Sequence, residues 1–103
     1  MNKYALTPAA DADLEEIWQF VSTSSSIAAA DRLEAELHEA MTRIGEFPDI
    51  GHTRVDLADE SLKVIGVHRI LIVYRPQTRS IQVIRVLHGA RDFGSIFGTG
   101  PIG

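Results

Sequence analysis

The stretch Ile84-Arg85-Val86-Leu87-His88-Gly89-Ala90-Arg91-Asp92 holds the residue types of this chain best suited to chemistry. A guanidinium stabilises the charge that develops on a phosphoryl group, and imidazoles, which titrate near pH ~6.5 in model peptides, move protons at neutral pH. Together they supply what metal-free RNA cleavage requires. A plainer reading fits the same residues: Arg91 and Asp92 lock the end of the last strand by ion pairing, and His88 satisfies a loop carbonyl. Register decides whether Arg69 joins them. If Tyr74 pairs with Ser80 in a hairpin, Arg69 falls opposite Arg85, and a slip of one residue moves the two to opposite faces. Arg85 and His88 are three apart, so a straight strand points them to opposite sides and their cooperation needs a bend near Leu87.

Other chemistry finds little support. The chain has no cysteine, which excludes disulfides, thiol nucleophiles and thiolate metal sites. His38, His52, His68 and His88 fall in no metal-ligand pattern, and there is neither a phosphate-binding glycine loop nor a serine elbow. No metal or cofactor is expected. Trp18 lies on an apolar helical stripe and reads as a core residue rather than a stacking platform. The run Ser22-Thr23-Ser24-Ser25-Ser26 reads as a turn between helices, not a modification site.

These residues need elements to hold them. At 103 residues the chain fits one domain, placed at residues 1–92, followed by a glycine-rich tail at 93–103. Residues 2–7 read as a strand. Thr7-Pro8 starts a first helix, with Thr7 as cap and Pro8 at the first helical position. Leu14, Ile17, Trp18 and Val21 form its stripe, and it is expected to end near Val21. A serine of the break caps a second helix, whose stripe is Ala30, Leu33, Leu37, Ala40, Met41 and Ile44. Gly45 supplies a left-handed cap and Pro48 forbids continuation. After a loop over 48–61, residues 62–67, 69–75 and 80–87 read as Val- and Ile-rich strands. Gly66 marks a bulge or turn between the first two, and Pro76-Gln77-Thr78-Arg79 turns the second hairpin. The order β-α-α-β-β-β argues an α+β fold, with an N-terminal helical hairpin packed on one face of a mostly antiparallel sheet. The arginines are expected on the other face.

Charge is divided along the chain. The net formal charge is -4, yet residues 1–61 carry four basic against thirteen acidic side chains, and residues 62–103 carry six basic against Asp92 alone. A basic face that meets an anionic partner is one expectation, and pairing of strand arginines with helix acids of the same domain is the other. Net acidity argues against a simple nucleic-acid binder. No apolar run is long enough for a signal peptide or a membrane span, so a cytoplasmic location without membrane contact is expected.

Several segments are similar to RelE/ParE-type toxins: Tyr4-Ala5-Leu6-Thr7-Pro8-Ala9-Ala10 with Asp13-Leu14-Glu15-Glu16-Ile17-Trp18, then Phe47-Pro48-Asp49-Ile50-Gly51, His68-Arg69-Ile70-Leu71-Ile72-Val73-Tyr74-Arg75, and the closing Arg85-Val86-Leu87-His88-Gly89-Ala90-Arg91-Asp92. The resemblance spans about residues 3–92 and implies the toxin of a type II toxin–antitoxin pair. Its first and last segments look closer to ParE. A ParE-like member poisons DNA gyrase and needs no catalytic residues of its own; Arg69, Arg75, Arg79, Arg85, His88 and Arg91 would then bind antitoxin or target. A RelE-like member would cut mRNA on the ribosome, with Arg69 and Arg85 stabilising charge and His88 as acid or base. The lysine-rich patch of some such ribonucleases is missing, since Lys63 is the only lysine after Lys3. A third possibility is a non-toxic module that still binds antitoxin. Each implies a hetero-oligomer with a cognate antitoxin whose C-terminal region is acidic and meets the basic stretch 62–91.

Overall fold

A computed structural model describes residues 4–53, 61–76 and 80–88. The elements run β1 (Tyr4–Leu6), α1 (Pro8–Ser24), α2 (Ile27–Glu46), a 3-10 turn (Pro48–Ile50), β2 (Lys63–Val67), β3 (Ile70–Arg75) and β4 (Ile81–His88). The expected β-α-α-β-β-β order holds. The sheet order is β1-β4-β3-β2. β2, β3 and β4 are antiparallel neighbours, and β1 lies parallel to β4 along Tyr4–Leu6 and its partners Ile81, Gln82 and Val83. No described helix is long and apolar enough to cross a membrane.

Both helices begin as the sequence dictates. The Thr7 hydroxyl accepts from the Ala10 N–H at 3.1 Å, and Pro8 stands at the first helical position. Ser26 caps α2 by accepting from the Ala29 N–H at 3.0 Å. Their ends differ from expectation. α1 passes Val21 and reaches Ser24, because the Ser22 and Ser24 hydroxyls donate back to the Gln19 and Phe20 carbonyls instead of breaking the helix. α2 continues through Gly45 to Glu46. The cap falls at Phe47, since the proline that follows disfavours helical backbone there.

The Thr7 hydroxyl also donates to the Ile84 carbonyl at 2.8 Å, tying the start of α1 to β4. Thr7→Ala is therefore expected to cost about 1–2 kcal/mol by removing a helix cap and a cross-element bond together, whereas Thr7→Ser retains both. Thermal melts of the two variants check this; equal losses would rule out the hydroxyl as the cause.

The main core lies between the helical hairpin and one sheet face. Ala10, Leu14 and Ile17 of α1 and Leu37, Ala40, Met41 and Ile44 of α2 meet Ile70, Ile72, Tyr74, Ile81, Val83 and Val86. By strand alternation Arg85, the partner of Val73, and Arg75, two residues beyond Val73, fall on the other face, but that face is not simply basic. It holds a second buried apolar cluster of Leu62, Val64, Val73 and Leu87, with Leu71 and Ile84 against it. The physical reason is the composition of β3: Leu71 and Val73 alternate with Ile70 and Ile72, so both faces of that central strand are apolar.

Gly66 is neither bulge nor turn; it sits in register opposite Leu71. The turn is made by His68 and Arg69, with His68 at φ 56°, the left-handed backbone that a two-residue hairpin loop requires. The irregularity lies in β4. Val73 pairs with Arg85 while Tyr74 pairs with Val83, leaving Ile84 as an extra residue. This bulge lets Val83 and Val86, three residues apart, face the same core.

Candidate functional site

β1 stops pairing at Leu6, so among the described residues no strand lies beside β4 beyond Val83, and α1 runs past instead. Helical spacing brings Asp13 onto the buried stripe with Ala10, Leu14 and Ile17. It is 8% exposed. Its carboxylate takes the ladder position a neighbouring strand would fill, accepting from the Val86 N–H at 2.9 Å. It also accepts from Arg85 Nε at 2.7 Å and Nη2 at 2.9 Å, a two-pronged pair. These hydrogen bonds push the Arg85 pKa above its ordinary value; burial opposes the shift, and the charges on Asp13 and Glu16 reinforce it.

Around this pair α1 and the end of β4 enclose a cleft of about 350 Å³. Glu16, Ile17 and Phe20 line one side, and Arg85, Val86, Leu87 and His88 the other. Phe20 is 57% exposed and meets the His88 ring edge-on, with centroids 5.8 Å apart. Arg85 and His88 therefore line the same cleft.

The remaining expected site residues lie elsewhere. Arg69 is exposed in the β2–β3 turn. Arg85 pairs with Val73, four residues along β3, so the two arginines are not opposite one another and their backbones are about 13 Å apart along the strand. Arg69 does adjoin Ile70, the partner of His88. Arg75, at the far end of β3, donates to the Ser61 hydroxyl at 2.9 Å. Arg79 and Arg91, the tail 93–103 and the centre of the Pro76–Arg79 turn lie outside the described residues. Among the described residues no three acidic or histidine side chains could hold a metal ion. Arg85 and His88 line one cleft, and Arg69 stands beside the partner of His88, not opposite Arg85. For Arg85, the pairing of strand arginine with helix acid prevails.

The sequence signal for Asp13 is its place on the buried stripe with Ala10, Leu14 and Ile17, where a carboxylate requires a partner. A second polar anchor stands behind the 3-10 turn. Tyr74, fully buried, donates to the Pro48 carbonyl at 2.7 Å and accepts from the Gly51 N–H at 2.9 Å. Burial is the main cause that pushes its phenol pKa up. Trp18, expected in the core, is half-buried instead, and its indole N–H donates to Asp31 at 2.9 Å.

This arrangement, a helical hairpin on a four-stranded mixed sheet, is a known fold. The chain superposes on a solved chain described as "Chromosomal ParDE TA system from P. aeruginosa" with a TM-score of 0.73 and 16% identity, over 86% of this chain and 97% of that one. The chain belongs to the family described as ParE toxin of type II toxin-antitoxin system, parDE, whose sequence model matches residues 4–93. It is 31% identical over 91 residues to proteins named Toxin ParE1 from two strains of Mycobacterium tuberculosis, CDC 1551 / Oshkosh and ATCC 25618 / H37Rv, covering 88% of this chain and 93% of each relative.

Proposed function

We propose that this ParE-family toxin acts in the cytoplasm by poisoning DNA gyrase and is neutralised in a hetero-oligomer by a cognate antitoxin with an acidic C-terminal region. The observation that carries the gyrase reading over RNA cleavage is the commitment of Arg85 to Asp13 by two hydrogen bonds. A guanidinium held this way serves the fold and is poorly placed to follow charge on a scissile phosphate. It is also distant from Arg69 along the sheet. The contact surface for target or antitoxin is then assigned to Arg69 and His88, at one end of the β3–β4 pair, with Arg75, Arg79 and Arg91 adding to the basic half of the chain. Arg85 is a positioning residue that holds β4 to α1.

Plasmid supercoiling by purified gyrase with ATP tests the reading, with antitoxin-free protein titrated in. Inhibition accompanied by trapped double-strand breaks, reversed by antitoxin, is expected. Normal supercoiling in the presence of folded protein that is toxic in cells would overturn it in favour of ribosome-dependent mRNA cleavage.

A further inference from the structure

The turn between β2 and β3 holds a backbone outlier. Among the described non-glycine residues His68 alone has a positive φ, at 56°. Positive φ at the first of two central residues, and not at the second, is the pattern of a type II′ hairpin turn, where glycine is the usual choice. A side chain in that position costs free energy and persists where its surroundings hold it.

What holds His68 lies on α2. Its Nε2–H donates to the Glu36 carboxylate at 2.5 Å. Glu36 precedes Leu37, which is buried in the main core, so the acceptor stands on a well-packed part of the helix. Val67 and Ile70 flank the turn, pair with each other and pack on the same core. The turn is therefore pinned at its base by the sheet and at its tip by α2. The His68 and Glu36 side chains are 66% and 40% exposed, and pairs this open to solvent add little to global stability. Their effect is local: they restrict the two central residues of the turn.

The second of those residues is Arg69, which is exposed, and Ile70 after it pairs with His88. Ordering one long side chain and its loop at the moment of binding weakens an interaction about three- to tenfold. A turn fixed in advance avoids that loss. We propose that Glu36 is a positioning residue for target binding: through His68 it holds the β2–β3 turn so that Arg69 stands preordered beside His88 and meets an anionic surface of the target. The proposal rests on the gyrase reading above and on its assignment of Arg69 and His88 to the contact.

A double-mutant cycle tests it. His68→Asn suits the positive φ but is too short to reach α2, and Glu36→Ala removes the acceptor from the other side. Half-maximal inhibition of gyrase supercoiling is expected to need about three- to tenfold more of either variant, and no more of the two combined. Glu36→Gln retains an acceptor for the Nε2–H and is expected to restore most of the potency. Melting temperatures of all four are expected within about 4 °C of wild type, while nitrogen-15 relaxation of the free proteins shows the Arg69 amide loosened in Glu36→Ala and His68→Asn but not in Glu36→Gln. Additive losses would mean that Glu36 touches the target itself and would overturn the positioning role. Unchanged potency of Glu36→Ala and His68→Asn, or a loss confined to antitoxin binding, would also overturn it while leaving the gyrase reading intact. Unchanged potency of Arg69→Ala would remove the contact assignment and this inference with it, and failure of the wild-type protein to inhibit gyrase would remove the gyrase reading as well.

Discussion

Asp13→Ala is expected to lower stability by about 2–4 kcal/mol, because it strands two groups at once. The Val86 N–H on the edge of β4 loses its acceptor, and the Arg85 guanidinium loses both hydrogen bonds. For a domain near 100 residues that corresponds to a melting temperature lowered on the order of 10–20 °C. The reasoning separates related variants. Asp13→Asn keeps an acceptor for Val86 and removes the charge, so its loss is smaller. Arg85→Ala leaves Asp13 bonded to the Val86 N–H, again a smaller loss. Replacing both partners with apolar residues, as in Asp13→Leu/Arg85→Met, recovers much of the Arg85 part of the penalty, since no charge is left unpaired. Thermal melts with circular dichroism check the series. An Asp13→Ala melting temperature within about 2 °C of wild type would mean that water satisfies both groups and that the pair does not hold α1 to β4.

Gly51→Ala is expected to cost a comparable amount, about 2–4 kcal/mol, through a different mechanism. A Cβ at this position falls on the Tyr74 hydroxyl, and it also lies 2.8 and 2.9 Å from Cε1 and Cζ of the ring. Tyr74 is fully buried in the main core, so it cannot retreat without opening a cavity or pushing on its neighbours. The clash therefore breaks the bonds from the hydroxyl to Pro48 and from Gly51 to the hydroxyl, freeing the 3-10 turn. Tyr74→Phe alone leaves the Gly51 N–H without its partner and costs about 1–2 kcal/mol. The two changes share one interaction, so Gly51→Ala/Tyr74→Phe is expected to cost less than the sum of the singles. Urea denaturation of the four proteins forms the cycle. Strict additivity would show that the glycine and the tyrosine act independently and would defeat the argument.

Both predictions concern long-range partners, and that is where reading the chain alone reached its limit. The fold class was legible because each element announces itself locally. The stripe of α2 is regular, Thr7 and Ser26 sit where caps belong, and the three late strands are rich in Val and Ile. The order of elements and the sites of the helix starts follow from such short-range rules. Even the small errors were local ones, such as the serines that fold back onto α1 and the proline that outranks Gly45 in ending α2.

The amino-acid sequence by itself thus determined which segments are helix and strand, which residues form the inner core, and that the chain divides into an acidic and a basic half. Only the tertiary structure decided the register of β4, the bulge at Ile84, and the pairing of Asp13 with an arginine 72 residues away. The physical reason is that periodicity fixes which way a side chain faces within its own element, but not what it faces. A strand with apolar residues on both sides, like β3, can pair in more than one register until the whole sheet and its covering helices choose among them. Once β4 is placed against α1, Asp13 fills the vacant ladder position at Val86 and holds Arg85 by two hydrogen bonds.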